Sequence, residues 1–203
     1  MPQLNSPGKK IKADRVGNKK ETRKTPRPPR KITETYLHNA GLYYLQRFAA
    51  SAAHFKKVMM RKINKSCDWH KDQNREDCIA LLDRLVLKFQ NTGLLDDESY
   101  SRGMVVSLRR RGLSRRLIHA RLSAKGLGQD DIEKALQQYE EDLDGDAELI
   151  AALRLAQRKK IGPYRREDTI DDHTYNKALG MLARAGFSYD ISQKVMGMER
   201  DSF

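Results

Sequence analysis

Three stretches of this chain end in the same way. Phe89 stands four residues before Gly93 and Leu94 follows it; Leu122, Gly126 and Leu127 repeat the arrangement, and so do Leu182, Gly186 and Phe187. Glycine enters the left-handed backbone region at no steric cost, so it closes a helix, and the apolar residue beyond it folds back onto the last turn. A chain punctuated like this is restricted to helices joined by tight turns. The recurrence also points to one supersecondary unit used more than once, although such endings are ordinary helix chemistry too.

Apolar spacing supports the helical reading. Leu37, Ala40, Tyr44 and Phe48 share one helix face; Ser51 is placed to cap a second helix carrying Phe55, Val58, Met59 and Ile63; a third carries Ile79, Leu82, Val86 and Phe89. Asp96 can cap a fourth helix with Tyr100, Met104 and Leu108 on its buried side, and Ser114 a fifth with Leu117, Ile118 and Leu122. Asp130 and Glu133 have capping-box spacing ahead of Ile132, Leu136 and Tyr139. A seventh helix runs through Leu149, Leu153 and Ala156 and must stop near Gly162 and Pro163, and two more lie around Tyr175–Ala185 and Tyr189–Met196. No segment alternates long enough to argue for a strand. The expected fold is all-α: tandem three-helix repeats over residues 32–94, 95–145 and 146–203, forming an elongated curved body behind a disordered basic tail, residues 1–31.

Charge is unevenly placed. The chain carries a net +13 over 203 residues, and residues 1–31 hold eleven Lys/Arg against Asp14 and Glu21, a net +9, with five of the six prolines and no aromatic residue. That composition cannot bury enough apolar area to offset the entropy of ordering it. From Arg102 to Lys125 there are eight bases and no acid; from Gly126 to Glu148, nine acids against Lys134 alone; from Arg154 to Arg166, six bases and no acid. Segregated blocks suggest surfaces that meet charged partners, with plain solvated faces as the alternative.

Catalytic signatures are missing. The chain has no Gly-x-x-x-x-Gly-Lys-Ser/Thr loop, no Gly-x-Ser-x-Gly and no His-Glu-x-x-His. Cys67, His70 and Cys78 make three zinc ligands where a structural site needs four; Cys78 reads as a buried small residue and Cys67 as part of a polar loop beside Trp69. No metal, cofactor or enzymatic activity is expected. The acids of Leu94-Leu95-Asp96-Asp97-Glu98 suit an N-cap and first helical turn better than a metal cluster, so Gly93, Leu94, Asp96, Asp97, Tyr100, Gly126 and Gly186 are expected to be structural. There is no run of about 20 apolar residues and no apolar stretch behind the basic N-terminus, so a cytoplasmic protein without a membrane span is expected.

In order and spacing, Gly93-Leu94-Leu95-Asp96-Asp97-Glu98-Ser99-Tyr100-Ser101-Arg102, then Arg110-Arg111-Gly112-Leu113-Ser114 and Leu122-Ser123-Ala124-Lys125-Gly126, resemble the RecX regulatory proteins of bacteria. Tyr44-Leu45-Gln46-Arg47-Phe48-Ala49-Ala50-Ser51 and Arg158-Lys159-Lys160-Ile161-Gly162-Pro163-Tyr164 extend the likeness over about residues 33–197; Ser101 replaces the Ala usual in the family, and the tail lies outside it. The resemblance implies a non-enzymatic protein lying in the groove of the RecA recombinase filament on single-stranded DNA, limiting filament growth, ATP hydrolysis, strand exchange and coprotease activity. It is expected to be a monomer. The acid-free blocks then nominate Arg109, Arg110, Arg111, Arg115, Arg116, Arg121 and Lys125 as contacts to filament or DNA, single- or double-stranded, with Arg158, Lys159, Lys160, Arg165 and Arg166 second. The competing reading is a basic helical module that binds DNA or RNA directly, without a recombinase.

Overall fold

A computed structural model describes residues 27–165 and 171–199. Among these residues the chain forms nine α-helices and no strand: α1 (Glu34–Leu45), α2 (Ala52–Trp69), α3 (Arg75–Asn91), α4 (Asp97–Arg110), α5 (Arg115–Ser123), α6 (Gln129–Glu141), α7 (Ala147–Lys159), α8 (Asp172–Arg184) and α9 (Tyr189–Gly197), with one 3-10 turn at Gly162–Tyr164. The all-helical expectation holds. No helix among the described residues is long and apolar enough to cross a membrane.

Most helix starts are set by side-chain caps that satisfy orphan N–H groups. Ser51 Oγ accepts from His54 N–H, Asp96 Oδ1 from Ser99 N–H and Ser114 Oγ from Leu117 N–H. The capping box expected at Asp130 and Glu133 is absent. Helix α6 starts two residues earlier, from Gly128, with no side-chain cap, and Glu133 is drawn instead to Arg115.

The glycine endings form at Gly93 (φ +71°), Gly126 (φ +80°) and Gly186 (φ +88°). Leu127 N–H returns to Leu122 O at 3.3 Å and Phe187 N–H to Leu182 O at 3.2 Å, the bond that defines a Schellman closure. The first turn is one residue longer: Leu95, not Leu94, donates to Phe89 O and is buried, leaving Leu94 48% exposed. Leu108, Gly112 and Leu113 make a fourth copy, with Leu113 N–H on Leu108 O and Gly112 at φ +70°.

Three apolar clusters form the cores. Phe55, Met59, Ile63, Leu82 and Phe89 centre the one built by α1–α3; Val105, Ile118, Leu122, Ile132 and Leu136 that of α4–α6; Ala152, Leu155, Leu182 and Val195 that of α7–α9. Helix α2 continues through Trp69, so Cys67 lies buried in a helix rather than in a loop, its Sγ 4.0 Å from that of Cys78. Burial, reinforced by Cys67, pushes the Cys78 thiol up to about 11. His70 Nε2 meets Pro29 O at 2.8 Å, and no group of three metal-ligating side chains occurs among the described residues. Most of the basic tail, residues 1–26, lies outside the described residues. Its last stretch is fastened: Ser66 Oγ donates to Arg30 O, Gln73 brackets the Ile32 N–H and C=O, and Lys31 pairs with Asp72.

The clusters are joined in series by one recurring contact. At the first joint, Ser51 Oγ donates to Lys125 O, Gly126 sits against Ala53, and Asp97 Oδ1 accepts from Ala52 N–H at 2.8 Å. At the second joint, Ser114 N–H donates to Ala185 O, Gly186 sits against Ser114, and Glu148 Oε1 accepts from Arg115 N–H at 2.6 Å. Each time, the capping serine of one triplet's middle helix meets the glycine end of the next triplet's middle helix. A first-turn acid of the next triplet also satisfies the first N–H of that capped helix. Local helix chemistry does not demand this, so the recurrence is a property of a repeat.

Candidate functional site

The arginine block divides into two sets. Arg109, on the last turn of α4, is 0% exposed. Its guanidinium reaches Glu140 of α6 at 2.9 Å and Glu148 of α7 at 2.8 Å, lies 6.0 Å from the Tyr139 ring and touches Leu113 O at 3.4 Å; its Nε alone finds no acceptor. Arg115, on the first turn of α5, pairs with Glu140 at 2.6 Å and with Glu133. Burial by itself would lower the Arg115 pKa, but the hydrogen bonds to Glu140 and Glu133 outweigh it and raise it. These two arginines and three glutamates bind α4, α5, α6 and α7 together, so part of the acid block folds back onto the basic block. Arg109 is therefore not a surface contact: a guanidinium removed from water and held by two carboxylates has no face left for a partner. Arg115 is largely committed in the same way.

Four cations of the block stay open, while Arg102 pairs with Glu98 at 2.7 Å. Arg110, Arg111, Arg116 and Arg121 are exposed and make no ion pair among the described residues. Lys125 is half-buried at the first joint, with its carbonyl taken by Ser51. Arg116 lines an open cleft of about 570 Å³ between the second and third triplets, with His119, Glu133, Gly186, Ser188 and Ile191. Arg158, Lys159 and Lys160 are exposed at the C-terminal end of α7, where Lys160 takes the left-handed conformation (φ +57°). The Gly112 turn, which follows Arg110 and Arg111, rests on the α7 backbone at Ala151 and Leu155. Arg165 is half-buried and bonded to Gly162 O, and Arg166 lies outside the described residues.

The residues expected to be structural sort as follows. Asp96 caps α4, and the hydrogen bonds from Ser99 hold its carboxyl below the ordinary value. Asp97 caps the preceding triplet's α2 rather than its own helix; burial raises its pKa against the effect of the Ala52 N–H, and Asp131 and Asp96 push the same way. Tyr100 packs against the second core. Leu94 is displaced from its expected role by Leu95. Sequence reasoning also passed over exposed Lys57, Arg61 and Lys65 on α2, although their spacing of four was legible.

A family model described as RecX, second three-helix domain, matches residues 96–136, the stretch that holds most of this network. Regulatory protein RecX of Myxococcus xanthus (strain DK1622) is 35% identical over 182 residues, spanning 90% of this chain and 95% of the relative. Regulatory protein RecX of Agrobacterium fabrum (strain C58 / ATCC 33970) is 30% identical over 164 residues, 81% of this chain and 83% of the relative. The crystal structure of RecX from Lactobacillus salivarius shares the fold, with a TM-score of 0.57 at 21% identity over 80% of this chain and 94% of that one. Full-length likeness to named relatives, a matching domain model and a shared all-helical fold lead to one conclusion: the chain belongs to the RecX family of regulatory proteins.

Proposed function

We propose that this protein is a non-enzymatic, cytoplasmic regulator that docks as a monomer on the RecA recombinase filament on single-stranded DNA. There it restrains ATP hydrolysis, strand exchange and coprotease activity, in the control of DNA repair, homologous recombination and the SOS response. The observation that carries this reading is the set of exposed, unpaired cations Arg110, Arg111, Arg116 and Arg121 on the triplet matched by the family model. Arg109 and Arg115 leave the contact set, and the basic end of α7, Arg158 to Lys160, joins it. A nucleoprotein filament offers both carboxylates and phosphates, and a row of open guanidinium groups on a rigid helical body pairs with either. The three apolar clusters act as three modules, 32–94, 95–145 and 146–203, whose serial joints fix the spacing of these cations.

The test is DNA-dependent ATP hydrolysis by the cognate recombinase on preformed filaments, with this protein added substoichiometrically at a salt concentration where it barely binds bare DNA. Suppression is expected. No effect, together with salt-sensitive binding to bare DNA, would replace this reading with that of a direct DNA- or RNA-binding module.

A further inference from the structure

Helix α2 presents a second cationic surface on the first triplet, meeting the arginine block at Lys125. Its core side is Phe55, Met59, Ile63 and Cys67; on the other side Lys57, Arg61 and Lys65 follow one another at four-residue intervals, all exposed and without an ion pair among the described residues. Trp69 continues the interval. A rise of about 1.5 Å per residue spreads the four side chains over ~18 Å of helix. Trp69 is the single tryptophan of the chain, is 59% exposed and makes no ring contact among the described residues. It stands over an open recess shared with Pro29, Arg61, Asn64, Lys65 and Asp68. The charge of Asp68 is held by Arg75 at 2.7 Å. At the other end of the stripe, His54 and Lys57 line a shallow pocket with Lys125. The basic N-terminal segment enters the fold at Pro29, on the wall of the Trp69 recess.

We infer that Lys57, Arg61 and Lys65 form a track for the phosphates of a single-stranded nucleic acid, with Trp69 as the platform on which a base stacks. Three unpaired cations at even spacing attract any polyanion. An isolated indole with an open face at the end of the row suits an unpaired base, which has a π-face, better than an acidic peptide, which has none. The surface lies on a different triplet from the open arginines, and its ligand needs no recombinase, so it stands or falls independently of filament docking.

The test uses the full chain and a fluorescein-labelled oligothymidylate, following anisotropy and Trp69 emission over a salt series. Binding is expected to quench Trp69. Replacing Trp69 with Ala should weaken binding about tenfold while leaving the salt slope unchanged. The triple variant Lys57→Gln, Arg61→Gln, Lys65→Gln should weaken binding and lower the slope of log affinity against log salt by about 2, since each single-strand phosphate contact contributes roughly 0.7. Charge removal at exposed positions is expected to leave the thermal melt in place; if the triple variant melts early, the single Lys65→Gln variant and the wild-type quench still decide. The inference is overturned if Trp69 emission does not respond to bound oligothymidylate. It is equally overturned if duplex DNA or polyglutamate competes as well as the single strand, which would make α2 a general polyanion face or an acidic-protein surface. A triple variant that binds like the wild type would remove the track.

Discussion

The two joints between triplets share a backbone plan and differ in what surrounds it. At the first, Ser51, Gly126 and Asp97 make the connection, and the charged groups around it, Lys57, Lys125 and Asp131, form no ion pair among the described residues. At the second, Ser114, Gly186 and Glu148 make the same connection, and Arg109, Arg115, Glu133 and Glu140 are layered onto it. The shared part positions successive modules. The added part turns one joint into a buried polar network whose members depend on each other, because a buried guanidinium is tolerable only while its carboxylates are present.

The largest effect that separates the joints should come from Arg109→Ala. Removing it opens a cavity and leaves Glu140 and Glu148 without their shared cation, at a cost of about 3 kcal/mol, toward the lower end for broken buried pairs because the glutamates are themselves 33% and 30% exposed. Chemical denaturation measures it, and a loss below about 1 kcal/mol would mean that the network contributes little to the joint.

Gly186→Ala comes next. A side chain there would both strain the left-handed backbone and meet Ser114 Oγ, costing about 2 kcal/mol, whereas Gly93→Ala pays only the backbone part, about 1 kcal/mol, because nothing lies within 4 Å of the added carbon. Equal losses at the two sites would show that the joint tolerates the intrusion.

Asp96→Ala should cost about 1 kcal/mol as a lost N-cap, without touching either joint. A thermal melt is sufficient to see it, and no shift would remove the capping role.

The smallest effect is in pH. Asp96 and Asp171 have carboxyls held below their ordinary 3.8 by the hydrogen bonds from Ser99 and Thr174, so the fold binds fewer protons there than the unfolded chain. Their stabilisation is present above about pH 4 and is lost as pH falls through the lowered values. Asp97 at the first joint is raised by burial, binds more protons when folded, and gives a little stability back on acidification. Converting Asp97 to Asn should therefore steepen the acid limb of the stability curve, and an unchanged limb would contradict the raised value.

Local features were legible in the sequence and remote ones were not. The capping serines, Asp96 and the glycine endings depend on residues within a few positions, and they stand where the spacing placed them. Leu95 replaced Leu94 because the turn is longer by one residue, a length that the apolar pattern Leu94-Leu95 leaves open. Arg109 was misplaced among surface contacts because its partners lie 31 and 39 residues away, and the acid-free run around it reads as a solvated block until α6 and α7 are folded against α4. The same long-range pairing kept Glu133 from closing a capping box.

In the function proposed above, the arginines of one block divide between holding the modules together and facing a partner. The most direct measurement reverses the open set, Arg110→Glu, Arg111→Glu and Arg116→Glu together, and follows recombinase ATP hydrolysis on preformed filaments alongside the thermal melt. Loss of suppression with an unchanged melt is expected. Suppression at the wild-type level by a folded triple variant would contradict it.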